Sequence, residues 1–387
     1  MPHIKDFAVE RWMDLHENNA IHNLAETCCA AISLSDLVSF SETESQPETQ
    51  TSSTLVNLTR KQSYGAIRGS DTLRTNIANR YSDPDPTISI SGENAPPVPI
   101  TKDNILVTSG GIQANFLALY TIIKPGDHVI VQYPTYQQLY SVPESLGAEV
   151  SLWRAQEERG WEVDVEELRG LVRPTTRVVV LNNPQNPTGA FLPLSTLQSI
   201  ISLARTHDLT ILSDEVYRPL FHSTSPCPPS ILSLGYTKTI STGSMSKSYS
   251  LAGIRLGWLA SPSTAILDAC ASVRDYTTIS VSQIDDGIAS VALSPSTVKN
   301  LLQRNMDLAE ANLRLMDEFV DGCGGLVEWV RPTAGTTALL RFRDKMARVL
   351  DDKGFCERVL QEVGVLVVPA RECFGRGWIW GVDIDSL

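Results

Sequence analysis

The stretch SMSKSYSLAGIRLGW (244–258) places Lys247 just past a predicted strand, among small hydroxyl residues, with Arg255 eight positions later. Alone, such a lysine reads as a surface residue. Four elements upstream, in fixed order, change that reading. VTSGGIQAN (107–115) runs a strand into a Gly-Gly turn and a helix start, which presents free backbone N–H groups to an anion such as a phosphate. A bare tight turn is the ordinary alternative. YPTY (133–136) brings Tyr136 just past the next strand end, where its face could stack on a flat cofactor ring or pack in the core. NNPQNPTG (182–189) holds Asn186 in an irregular loop between strand and helix, able to hydrogen-bond a phenolic oxygen. SDEVY (213–217) sets Asp214 at a strand end, as a reactive carboxylate or a helix N-cap, with Tyr217 three residues on.

These stretches lie in a βαβ rhythm that would position them at one edge of a sheet. ILVTS, HVIVQ, EVSLW, RVVVLNN (177–183), LTILSDE (209–215), TKTISTG (237–243) and RLGWLAS (255–261) read as strands. Between them, amphipathic stretches near 112–123, 135–146 and 194–207 read as helices. Unbroken apolar runs suit strands covered on both faces, so the expectation is an α/β fold with a mostly parallel sheet. Ligands of such sheets bind at the carboxyl ends of the strands. After residue 262 the pattern changes to long helices (about 263–292 and 295–321) and the strand-like LVEWV, TTALLRF and VLVVP. Earlier in the chain, a helix is expected over 73–81. The polar stretches 41–54 and 82–99 read as surface connections.

Composition excludes several classes. With 387 residues, 42% hydrophobic and 20% charged, the chain reads as a globular protein of two to three domains. A net charge of −12 disfavours a nucleic-acid backbone binder. Seven scattered cysteines without a C-x-x-C pair indicate neither a disulfide framework nor a zinc site, and point to a reducing compartment. The N-terminus lacks a signal-peptide pattern, and no stretch approaches the ~18 apolar residues of a membrane span. The expectation is a soluble cytoplasmic protein that binds neither nucleic acid nor membrane. Neither a G-x-G-x-x-G after a first strand nor a G-x-x-x-x-G-K-[ST] loop is present, which argues against a nucleotide-dependent enzyme.

Together with YGAIRGSDTLR (64–74), these motifs resemble, in order and approximate spacing, the class I/II aminotransferases among the fold type I pyridoxal-phosphate enzymes. The chain is also similar to their 1-aminocyclopropane-1-carboxylate synthase relatives. The resemblance implies roles. Lys247 would form the Schiff base with pyridoxal 5'-phosphate and shuttle protons; Asp214 would pair with the pyridine nitrogen. Asn186 and Tyr217 would hydrogen-bond the ring's 3-oxygen, and Tyr136 would stack on the ring. The backbone at Gly110, Gly111 and Ile112, with Ser244, Ser246 and Arg255, would hold the phosphate. A tyrosine at the position of Tyr64 reaches the neighbouring subunit's phosphate in this family, implying a homodimer with shared sites. A small domain would combine residues 1–54 and 270–387, with a large cofactor-binding domain over 55–269.

Two features bear on the substrate. HNLAETCCA (22–30) is similar to a segment that lies over the substrate in the synthase branch, which would bring in Ala25 and Glu26; a plain connecting loop is the alternative. Where family members carry an arginine that grips the substrate carboxylate, GWIWGVDI (377–384) has Trp380. Either Arg371 or Arg376 reaches in instead, or the substrate is not held by a free α-carboxylate. The resemblance thus implies chemistry through a substrate Schiff base and a Cα carbanion, with transamination first. Elimination, substitution or cyclisation by the same cofactor is the alternative, and a non-catalytic binding protein of the same fold a further one.

Overall fold

The computed structural model describes residues 4–41, 55–81, 98–222, 227–374 and 379–380. The N-terminal part forms α1 (Ala8–His16), β1 (His22–Asn23), α2 (Leu34–Ser41) and α3 (Asp71–Asn79). α1 buries Val9 and Trp12, and the Trp12 indole N–H donates to the Val367 carbonyl at 3.0 Å, fastening this end of the chain to its far end. α3 starts where the Ser70 hydroxyl accepts from the Leu73 amide, two residues before the expected helix.

The expected α/β sheet is present. β2 (Ile105–Thr108), α4 (Gly110–Ile122), β3 (His128–Tyr133), α5 (Gln138–Ser145), β4 (Glu149–Arg154), α6 (Val165–Leu171), β5 (Thr176–Asn182), α7 (Leu194–His207), β6 (Thr210–Asp214), β7 (Thr239–Ser244) and β8 (Gly257–Ala260) follow one another. Their seven strands lie in the order β2-β8-β7-β6-β5-β3-β4. All pairings are parallel except those of β8, which runs antiparallel to β2 and β7. The apolar runs are buried on both faces. Ile105, Val107, Val179, Leu181 and Ile211 enter one core, while Leu106, Val178, Val180 and Leu212 enter the other.

The rest of the chain forms α8 (Thr264–Arg274), α9 (Gln283–Ala292), α10 (Pro295–Gly322), β9 (Val327–Trp329), β10 (Leu339–Phe342), α11 (Asp352–Val363), β11 (Val365–Leu366), β12 (Val368–Pro369), α12 (Ala370–Phe374) and β13 (Ile379–Trp380). The single helix expected over 263–292 is two. α8 ends at Arg274, the chain turns through Ile279, with φ of 59°, and a helix restarts where the Ser282 hydroxyl caps α9. VLVVP likewise divides: β11 pairs in parallel with β1, whereas β12 joins a four-stranded sheet in the order β12-β13-β10-β9.

Candidate active site

The carboxyl ends of β2, β3, β5, β6 and β7, with the turn entering β8, surround a cavity of about 430 Å³. At one end, Gly110 (φ 79°) turns the chain from β2 into α4, whose first-turn amides lack intrahelical partners. The turn is tightly fitted: a Cβ on Gly257 would lie 2.4 Å from the Gly110 carbonyl carbon, and one on Gly110 would lie 2.8 Å from Arg255 Nη2. Arg255 donates from Nη1 to Ser246 Oγ at 3.2 Å and to the Ala252 carbonyl at 2.9 Å. The Ser246 amide in turn donates to Ser244 Oγ at 3.0 Å. Gly111, Ile112, Ser244, Ser246 and Arg255 line the cavity together. A fixed guanidinium, two hydroxyls and a helix N-terminus fit a phosphate.

Deeper in, Asp214 is buried at the end of β6. Its carboxylate accepts from the Asn115 amide at 2.8 Å and the Val216 N–H at 3.2 Å, while Asn115 Oδ1 accepts from Thr242 at 2.7 Å. Burial pushes the Asp214 pKa up to about 6 against these hydrogen bonds. Asn186 Nδ2 donates to the Tyr217 hydroxyl at 3.1 Å, and buried Asn186 Oδ1 has no hydrogen-bond partner among the described residues. Burial carries the Tyr217 hydroxyl up to about 12, with Lys247 opposing. Tyr136 presents its ring to the cavity and leans on Phe7, centroids 4.9 Å apart.

Lys247 is buried between these groups and the segment after β1. Its Nζ donates to Thr27 Oγ1 and lies 3.4 Å from Cys28 Sγ. Burial pulls the Lys247 ammonium down, but attraction to Cys28, Tyr217 and Tyr136 outweighs it and holds the pKa above the ordinary lysine range. The segment is strapped in place: the Thr336 hydroxyl donates to the Thr27 carbonyl at 2.9 Å, Arg304 to the Ala30 carbonyl at 2.8 Å, and the Cys29 amide to the Lys247 carbonyl at 3.3 Å. Ala25 and Glu26 therefore line the cavity.

Sequence reasoning missed Asn115, Thr27, Cys28, Glu10 and Glu17, all of which reach the cavity wall or its groups. Asn115 stood within the quoted glycine motif, one helical turn past Gly111. Three expected residues are placed elsewhere or undescribed, while Tyr64, expected at the neighbouring subunit's phosphate, is 79% exposed. Arg371 faces Asp351 and Asp352 and does not line the cavity. Trp380 pairs through β13 with Leu339 and Val368, and Arg376 lies outside the described residues. Among the described residues no group of three or more His, Cys, Asp or Glu could hold a metal ion, and no helix is long and apolar enough to cross a membrane.

The residues fit pyridoxal 5'-phosphate. A buried carboxylate with only neutral donors suits a pyridinium N–H, and the orphaned Asn186 oxygen beside Tyr217 marks a polar position still to be filled. The comparisons agree. Residues 47–379 match the profile of the family "Aminotransferase class I and II". The fold superposes with a TM-score of 0.86 on a PLP-dependent aminotransferase from Streptococcus suis, 36% identical, over 98% of this chain and 93% of that one. The capreomycidine synthase of Streptomyces vinaceus is 31% identical over 272 residues, covering 70% of this chain and 67% of that protein. An arginine–pyruvate transaminase of Pseudomonas aeruginosa is 30% identical over 318 residues, covering 81% and 75%. The chain belongs to the class I and II aminotransferase family, and its cofactor is pyridoxal 5'-phosphate.

Proposed function

We propose that the protein is an aminotransferase of specialised metabolism that moves the amino group of an amino acid or related amine. The observation that carries this reading is that the Lys247 amine and the Asn115-held Asp214 carboxylate open on one cavity. When bound, the cofactor supplies an electron sink for negative charge developing at the substrate's Cα. Arg255, Ser244, Ser246 and the start of α4 would hold its phosphate, and Asp214 would keep its ring nitrogen protonated. Asn186 and Tyr217 would face its 3-oxygen, and Tyr136 would lie against the ring. Lys247 would hold the cofactor covalently and then, as a free amine, move the proton at Cα. Its contacts with Thr27 and Cys28 keep that amine inside the cavity.

A second reading is cyclisation, elimination or substitution with the same residues. It draws support from the likeness to capreomycidine synthase and from Trp380 at the position where the family carries an arginine. Ala25, Glu26 and Trp380, with Arg371 and Arg376 as the candidate carboxylate ligands, would then set the substrate. Turnover with and without a 2-oxo acid separates the readings. Transamination stops after one equivalent of product per site unless the acceptor is present; the other reactions continue without it. Lys247→Ala must abolish both, and a variant that retains turnover overturns the assignment.

The same proposal includes a homodimer, a large domain over 55–269, a small domain joining 1–54 to 270–387, and a cytoplasmic setting. Exposed Tyr64 and an exposed stripe of Ile112, Phe116 and Tyr120 at spacings of four along α4 support the dimer, since such apolar surface seeks cover. Sedimentation measures the state, and mixing Tyr64→Phe with Lys247→Ala subunits tests whether sites are shared.

A further inference from the structure

Among the described residues six charged side chains line the cavity: Asp214, Lys247, Arg255, Glu10, Glu17 and Glu26. The first three have roles toward the cofactor. The remaining three are all acids, and all come from the N-terminal part of the chain. Glu10, Met13 and Glu17 stand at spacings of three and four along α1 and the 3₁₀ turn that continues it, so one face turns toward the cavity. Glu26 approaches from the segment strapped over Lys247. No salt bridge involves any of the three among the described residues. Gathered carboxylates repel one another unless a cation joins them.

Resting on the reading of this cavity as the active site, we propose that the substrate carries a second, distal cation on its side chain. It would be a guanidinium or ammonium group received by Glu10, Glu17 and Glu26. The three carboxylates share this cavity with Lys247, so a substrate reaching that amine passes beside them. Among the described residues Arg255 is the sole arginine in its wall, so nothing there offers a distal acid a partner. Val9 and Met13 supply an apolar flank beside the carboxylates, suited to a methylene chain. Burial raises the Glu10 pKa; Lys247 opposes this, Asp14 and Glu26 add to it, and a hydrogen bond from Tyr136 lowers it. An arriving cation would therefore stabilise a carboxylate that is costly to ionise alone.

The test uses the full chain loaded with pyridoxal 5'-phosphate and compares arginine, lysine and ornithine with the neutral citrulline and norleucine. Wild type is set against Glu10→Gln, Glu17→Gln and Glu26→Gln. The expected result is a kcat/KM for arginine at least about tenfold above citrulline. Most of that preference should be lost through KM for arginine in one or more variants, so that the arginine-to-citrulline ratio of kcat/KM falls toward one. The cofactor's absorbance in each variant reports that the site is intact. Equal use of charged and neutral donors, or a preference untouched by all three variants, overturns the proposal while leaving the catalytic reading standing. A loaded enzyme whose spectrum no amine perturbs overturns the catalytic reading itself, and this inference with it.

Discussion

Asn115 reaches from the second turn of α4 to donate a 2.8 Å hydrogen bond to the carboxylate of Asp214, 99 residues away. That bond opposes the burial that raises the Asp214 pKa to about 6. Removing it with Asn115→Ala moves the value further up, so less of the group is ionised at neutral pH. A hydrogen bond to a charged group contributes about 1.5–3 kcal/mol, so kcat should fall roughly ten- to hundredfold at pH 7. The acid limb of the pH–rate profile should shift toward higher pH. An unchanged acid limb would mean that Asn115 does not tune the carboxylate.

The same buried carboxylate makes the cofactor-free protein less stable as pH rises. Its folded pKa of about 6 lies above the ordinary 3.8, so between these values the folded state holds a proton that the unfolded state has released. Stability falls with pH across that window and the full cost is present above it. Asp214→Asn should therefore stabilise the cofactor-free protein by up to about 3 kcal/mol at pH 7, and by little at pH 3.5, while abolishing activity. Denaturant unfolding of both proteins across this range, with cofactor stripped, measures the difference.

Much of this site was legible because the motifs fall at strand ends, and the strands announce themselves. Runs such as Val178, Val179, Val180 and Leu181 feed cores on alternate faces, which only a doubly covered sheet allows. Local order then places Lys247, Asp214, Asn186 and Tyr136 near strand ends, and their roles come from the family resemblance. Contacts made across the chain were not legible. Thr27 meets Lys247 only because Thr336 and Arg304 hold its loop, and no local spacing encodes that. Glu10 and Glu17 read as solvated helix residues and remain exposed in the fold; only the docking of α1 by Trp12 brings them to the cavity wall. The break between α8 and α9 did have a local signal, a serine cap at Ser282 followed by two acids, hidden inside an apolar pattern that continues on both sides.

Gly257 and Gly253 make a matched pair for testing the phosphate turn. A Cβ at Gly257 would lie 2.4 Å from backbone atoms of Gly110 and Gly111, so alanine there must push the turn away from Arg255 and Ser244. At Gly253 an added Cβ meets nothing within 4 Å. Gly257→Ala is expected to weaken pyridoxal 5'-phosphate binding at least tenfold by fluorescence titration, and Gly253→Ala to leave it within about twofold. Equal affinities would show that the turn is not held by this backbone contact.

Cys28 offers a chemical probe of Lys247. Its sulfur is 3.4 Å from Nζ and partly accessible, so a group attached there would occupy the space the amine needs. Iodoacetamide treatment of the cofactor-free protein should abolish the activity recovered on reloading with pyridoxal 5'-phosphate, in step with labelling of Cys28 as read by peptide mapping, and loading before treatment should slow both. Cys28→Ser should keep most of the activity and resist inactivation, because the hydroxyl preserves a polar contact to the amine without a reactive sulfur. Cys227, exposed and absent from the cavity wall, is the control: Cys227→Ser should remain as sensitive as wild type. Inactivation that follows labelling at Cys227 instead would break the link between Cys28 and the reacting lysine.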